Sequence, residues 1–121
     1  DVPELCNFIV PSVVNRGPLQ IAISTGGAAP VVAKRVRCEL EERYGEEWEC
    51  YVRLLGQVRR LVMDRVSGGE RVRKPIFEAI ASSDLFDRVA GGVCPDPEDV
   101  FREFVPGAGV PVARADAGEG D

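Results

Sequence analysis

Leu19, Ile21 and Ile23 alternate with Gln20, Ala22 and Ser24, the period of two expected of a strand with one buried face. Upstream, residues 7–14 gather Phe8, Ile9, Val10, Val13 and Val14 around Pro11-Ser12. That is strand composition. Pro11 has no N–H for a ladder, so an edge strand or a bulge is expected there. Asn15-Arg16-Gly17-Pro18 reads as the turn between the two strands. The product is a β-hairpin, which is marginal by itself in water. It must therefore pack on helices or add to the sheet of another chain.

After Ser24 the period changes. Thr25-Gly26-Gly27 closes the second strand, and Pro30 suits the first position of a helix. Val32, Val36 and Leu40 form an i, i+4 row through about Tyr44, and Gly45 ends it. A second helix is expected from about Glu46 to Val66, with Trp48, Tyr51, Val52, Leu55, Val58, Val62 and Val66 on one stripe. Gly56 lies inside it, and Ser67-Gly68-Gly69 stops it. A third helix, Glu70 to Ala81, is bent or begun at Pro75 and turns Val72, Ile76, Phe77 and Ile80 inward. Ser83 caps a short helix through Val89. Asp96 then serves as N-cap, with Pro97 at the first position, for a last helix to about Phe104. From Pro106 onward Gly, Ala, Pro and acidic residues dominate, a composition expected to remain disordered. There is no internal repeat. The fold class is α+β, an N-terminal β-hairpin followed by a mainly α-helical domain.

Composition narrows the chemistry. The 121 residues are 45% apolar, enough for a small core, although a chain of this size gains from a partner. No apolar run approaches a membrane span, and the N-terminus lacks a basic-then-apolar leader, so a cytoplasmic location is expected. With no histidine, Ser-His-Asp and Cys-His catalysis and histidine metal ligation are excluded within this chain. Acid–base work falls to carboxylates, Lys, Tyr or Cys. Cys6, Cys38, Cys50 and Cys94 form no CxxC pair; three of them sit within apolar patterns and read as small core residues.

The net charge of −5 is unevenly spread. Residues 34–74 carry eleven basic and eight acidic side chains, and the remainder four basic and twelve acidic. Solvated helix faces account for this, and so does a basic face for a polyanionic ligand. Nucleic acid is disfavoured, because Arg and Lys alternate with Glu and the whole chain is acidic.

The stretch richest in chemistry is Ser24-Thr25-Gly26-Gly27, between a strand and a helix. Two glycines let backbone approach a ligand, and the open amides and dipole of a helix start favour an anion. Two hydroxyls stand beside them, and Lys34 follows one turn on. A carboxylate or phosphate cradle fits this pattern; so does an ordinary glycine-hinged turn. It is not a P-loop. By composition alone Asp1 reads as a solvated end, Asn7 as an Asx-turn residue or a ligand contact, and Arg16 as a solvated turn residue.

The run from Asp1 to Glu41 resembles the precorrin-2 dehydrogenase and sirohaem synthase family. The resemblance is carried by Asp1, Pro3, Cys6-Asn7-Phe8, Pro11-Ser12, Arg16-Gly17, Leu19, Ile21 to Thr25, Gly27, Pro30, Ala33, Arg37, Leu40 and Glu41. It is tight over about 40 residues; the helices beyond agree in layout only. It implies NAD-dependent oxidation of precorrin-2 to sirohydrochlorin, with ferrous iron inserted in many members to give sirohaem. It implies residues 1–29 as the end of the dinucleotide domain plus a hairpin dimerisation segment, 30–105 as a helical domain and 106–121 as a tail. Asp1 is then the acid–base residue. Asn7, Ser24, Thr25, Gly26 and Gly27 become substrate-binding, with Lys34 and Arg37 as further charge, and the hairpin joins a homodimer. Two departures qualify this picture. The glycine-rich NAD fingerprint is not in these residues, so NAD is expected on a domain outside this chain, and the chain alone is expected to be inactive. Many relatives also carry serine where Ala29 stands. The competing reading is a stand-alone, non-enzymatic dimerisation and tetrapyrrole-binding module.

Overall fold

The computed structural model describes residues 10–107. Among them are a two-stranded antiparallel sheet, β1 (Ser12–Arg16) and β2 (Leu19–Ile23), and five helices: α1 (Pro30–Arg43), α2 (Glu47–Arg65), α3 (Glu70–Ala81), α4 (Leu85–Ala90) and α5 (Pro97–Phe104). The hairpin-then-helices order agrees with the expected fold class. Contacts divide the chain into two units, Asp1–Arg53 and Leu54–Asp121, and the division falls within α2.

In the first unit, β1 and β2 pair in the register Ser12↔Ile23 to Arg16↔Leu19. The loop is thus only Gly17-Pro18, shorter than the four-residue turn expected, and β1 extends through Asn15 and Arg16. Gly17 has φ 63°, while the Pro18 ring holds its own φ negative. Positive then negative φ is the type II′ pattern, whose twist matches paired strands. Pro11 precedes the first ladder residue, where its missing N–H costs nothing. Phe8 and Ile9, also assigned to this strand from sequence, lie outside the described residues.

Ser12, Val14 and Arg16 face inward from β1, and Leu19, Ile21 and Ile23 from β2; Val13, Asn15, Gln20 and Ala22 face out. Val14 is fully buried. Helix α1 packs on both strands, which meets the hairpin's need for a partner within this unit. The face it presents differs from the expected row. Ala33 is the buried residue, whereas Val31 and Val32 are 80% and 49% exposed. A small side chain at the contact lets the helix backbone approach the sheet, and that sets the helix rotation. Beyond α1, the rings of Tyr44, Trp48 and Tyr51 meet edge to face at 5.1 and 5.7 Å.

The second unit is helical. Leu54, Val58 and Val62 form the buried row of α2 and share a core with Ile76, Ile80, Leu85, Val89, Val100 and Phe101. Val72, expected inward, is 43% exposed. Helix α3 begins at Glu70 and continues through Pro75. Three contacts fix the helix ends. The Ser83 hydroxyl accepts the Leu85 N–H at 3.1 Å, the Asp96 carboxylate accepts the Glu98 N–H at 2.8 Å, and Arg73 Nε donates to the carbonyl of Val66, the residue that follows α2, at 2.9 Å. Pro106 and Gly107 form a turn; the rest of the expected tail lies outside the described residues. No helix among the described residues is long and apolar enough to cross a membrane.

Candidate functional site

Between β2 and α1 the chain makes a turn in which Gly26 and Gly27 both take positive φ, 67° and 81°. A Cβ on Gly26 would meet nothing within 4 Å, so conformation, not crowding, calls for glycine there. The turn is tied by its own polar groups. The Ser24 hydroxyl accepts the Gly26 N–H at 3.0 Å, the Thr25 carbonyl accepts the Ala28 N–H at 3.1 Å, and the Thr25 hydroxyl accepts the Ala29 N–H at 3.0 Å.

Helix α1 therefore starts without a side-chain cap. Ala29 holds the N-cap position with no polar side chain, Pro30 follows, and the first turn carries no acidic residue. The Val32 and Ala33 amides donate to the Ala29 carbonyl. The Gly27 and Val31 amides have no acceptor among the described residues. The hydroxyl hydrogens of Ser24 and Thr25 remain donors, since only their oxygens are used in the turn. The positive end of a 14-residue helix thus faces outward with open N–H groups, an arrangement that accepts an anion.

Ser24, Thr25, Gly26 and Gly27, selected from sequence, are brought together in this one turn. Asp1 and Asn7, also selected, lie outside the described residues, as does Cys6. Lys34 is exposed and makes no ion pair among the described residues. Arg37 differs: its guanidinium lies 3.0 Å from Glu41, so its charge is already engaged. Arg35 is likewise paired with Glu39 at 3.3 Å.

Sequence reasoning missed Arg16. Expected to be solvated, it is half-buried, and its Nε donates to the Tyr44 carbonyl at 2.8 Å while Nη2 donates to the Glu41 carbonyl at 3.2 Å. These are terminal carbonyls of α1, left without intrahelical partners, and a guanidinium suits that end of the dipole. One residue in the hairpin turn therefore fixes the far end of the helix whose near end forms the anion-ready turn. The only hint in the sequence is an arginine beside the turn glycine. Cys38, Cys50 and Cys94 are all exposed, contrary to the expected core role. For Cys38 and Cys50 the apolar neighbours in sequence belong to other faces of the helices, and Cys94 lies in the connection between α4 and α5. No group of three or more His, Cys, Asp or Glu among the described residues is arranged to hold a metal.

Comparison with known proteins converges on one family. Residues 16–43, from Arg16 to the end of α1, match the family model described as sirohaem biosynthesis protein central. The chain is 30% identical over 125 aligned positions to a sirohaem synthase of Nitrosococcus oceani, covering 100% of this chain and 26% of that protein. A sirohaem synthase of Methylobacillus flagellatus is 36% identical over 92 positions, 76% of this chain and 20% of the relative. One from Methylococcus capsulatus is 37% identical over 92 positions, 76% and 17%. The chain thus spans about a quarter or less of the length of the curated relatives it matches. Among solved structures, SirC, a precorrin-2 dehydrogenase, superposes with a TM-score of 0.66 at 23% identity, covering 81% of this chain and 46% of that one; this likeness speaks to the fold. With the central segment matched and sirohaem synthases aligned across its whole length, the chain belongs to the sirohaem synthase family.

Proposed function

We propose that this chain is part of an NAD-dependent precorrin-2 dehydrogenase that makes sirohydrochlorin in sirohaem biosynthesis, with ferrous iron as a further substrate of the same protein. The observation that carries this reading is the uncapped start of α1. Precorrin-2 is a macrocycle bearing many carboxylates. The open Gly27 and Val31 amides, the Ser24 and Thr25 hydroxyls and the exposed Lys34 together supply donors for one of them. Family membership supports the choice of substrate.

In this reading Asp1 is the acid–base group. Aromatising the macrocycle requires removal of a proton with each hydride, and insertion of a divalent ion requires removal of pyrrole N–H protons. A single carboxylate can serve both, without histidine. Asn7 lies near Asp1 in sequence and would contact the substrate. NAD, when bound, takes the hydride. No glycine-rich strand-to-helix phosphate loop of the dinucleotide kind occurs in these residues, so none is assigned to NAD, and NAD would be held by another domain of the parent protein. The chain's own contribution is docking, orientation and proton transfer. The outward face of the hairpin, with Val13 41% exposed next to Val10 at 87%, supports a homodimer formed through β1 and β2. The expected setting is the cytoplasm.

The test is anaerobic conversion of precorrin-2 with NAD by the full-length parent protein, followed by sirohydrochlorin absorbance. Asp1→Asn should abolish turnover while leaving sirohydrochlorin binding in place. Lys34→Glu, which puts a carboxylate by the helix start, should weaken sirohydrochlorin binding by about tenfold or more. Full activity of the Asp1→Asn protein would remove Asp1 from the chemistry. Unchanged affinity in Lys34→Glu would move the docking point elsewhere. Binding without turnover in the unaltered protein would favour the non-enzymatic module.

A further inference from the structure

The second unit contains a cleft away from the β2–α1 turn. Its lining residues come from α2 and α3. One end, about 380 Å³, is lined by Arg59, Met63, Glu70, Arg73, Lys74 and Phe77. Next to it is an apolar recess of about 130 Å³, walled by Leu55, Val58, Ile80 and Ala81. Arg59 and Phe77 border both, so the two form one cleft with a cationic and an apolar end.

The charges at the cationic end are arranged, not merely present. Three cations face one carboxylate, Glu70. Arg73 is anchored by its bond to the Val66 carbonyl at 2.9 Å, which fixes the plane of its guanidinium. Arg59 sits 5.8 Å over the Phe77 ring, held at the junction of the two ends by a cation–π contact. Lys74 makes no ion pair among the described residues. Arg65 and Arg102 are matched by Glu98 and Asp99; at this end of the cleft Arg59, Arg73 and Lys74 outnumber the single carboxylate of Glu70. Phe77 and the exposed Met63 add a polarisable wall.

We infer that this cleft binds an amphiphilic organic anion, its apolar chain in the recess between Leu55, Val58, Ile80 and Ala81 and its carboxylate or comparable head between Arg59, Arg73 and Lys74. A concave, largely apolar site with a few convergent polar groups is the usual form of a small-molecule site, and a cleft of this volume suits a chain of moderate length. Neither the cationic end nor the apolar end accounts for the other; a ligand carrying both characters does. No residue of the β2–α1 turn lines this cleft.

Decanoate, decanol and acetate separate the contributions of head and chain. Each is titrated into the protein with backbone amide shifts followed by NMR. Decanoate should give saturable shifts along residues 55–63 and 70–81, decanol should bind at least about tenfold more weakly, and acetate should not saturate. The double variant Arg59→Leu, Lys74→Met should reduce decanoate affinity by about tenfold or more, in keeping with loss of charge-assisted contacts. Ala81→Trp, at an exposed position, should close the apolar recess and have the same effect. Absence of saturable binding, equal affinity for decanol and decanoate, shifts confined to other residues, or unchanged affinity in either variant would overturn the inference.

Discussion

Arg16 Nε donates to the carbonyl oxygen of Tyr44 at 2.8 Å, tying the hairpin turn to the C-cap of α1 across 28 positions of sequence. Since Nη2 also donates to Glu41 O, the guanidinium satisfies two terminal carbonyls that no backbone amide reaches. Arg16→Met keeps much of the aliphatic stem and removes these bonds. It should destabilise the first unit by about 1.5–3 kcal/mol, the range for hydrogen bonds to a charged group. Arg16→Lys should recover only part, because an ammonium cannot reproduce the fork. Urea unfolding followed by Trp48 fluorescence measures both.

Gly17 and Gly26 both have positive φ, but their surroundings differ. A Cβ on Gly17 would stand 2.6 Å from Glu49 Cγ, whereas one on Gly26 would meet nothing within 4 Å. Gly26→Ala should therefore cost only the left-handed backbone penalty, about 1–2 kcal/mol. Gly17→Ala should cost more in the native background. In a Glu49→Ala background it should fall to the Gly26→Ala value. Additivity across that double-mutant cycle would show that Glu49 yields freely.

Helix α1 lacks a side-chain cap at Ala29. Ala29→Ser should supply one and stabilise the protein by about 1 kcal/mol. If the proposed function holds, the same change should weaken anion binding at the turn, because the new hydroxyl competes for the open amides. Thr25→Ala should act oppositely on stability, since it removes the acceptor of the Ala29 N–H; thermal melts with and without sirohydrochlorin separate the two effects.

Gly56 lies in the interior of α2 on its exposed side, with nothing within 4 Å of a built Cβ. Its φ is not in the positive range. Gly56→Ala should stabilise the protein by about 0.5–1 kcal/mol through helix propensity and a less free unfolded chain. A loss of stability would mean that a partner or ligand occupies this face.

Arg65 makes a two-point contact with Glu98, at 2.8 and 2.7 Å, and its guanidinium also lies 5.3 Å over the Phe101 ring. The hydrogen bond from Arg65 holds the Glu98 carboxyl below its ordinary value. A carboxylate depressed in the folded state contributes stability above the unfolded value and loses it as pH falls through the folded one. The acid limb of stability should therefore shrink in Glu98→Gln, with little change in the slope above the carboxylate range. Tyr51 works at the other limb. Burial raises its phenol above the usual value of 10.0, so its contribution is complete below that pH and is lost as pH rises further. Tyr51→Phe should flatten the alkaline limb in urea unfolding at fixed pH.

The period-two run from Leu19 to Ile23, the end signals Pro30, Gly45, Ser83 and Asp96, and the turn glycines of the β2–α1 segment are local features, and the sequence alone was sufficient to determine hairpin, helices and turn from them. Short-range sterics, missing amides and side-chain-to-backbone capping act within a few residues, so they are legible in a linear chain. The rotation of α1 was not legible: burying Ala33 and exposing Val31 and Val32 is decided by how closely a helix can approach a sheet, a property of two surfaces together. The role of Arg16 was hidden for the same reason, because its acceptors at Glu41 and Tyr44 become neighbours only after the hairpin and α1 pack. So was the cleft that sets Arg59 and Lys74 beside Phe77, which exists only where two helices lie side by side. What the sequence determined were the pieces and their ends; which faces meet, and which charges are left unmatched, only packing in three dimensions decided.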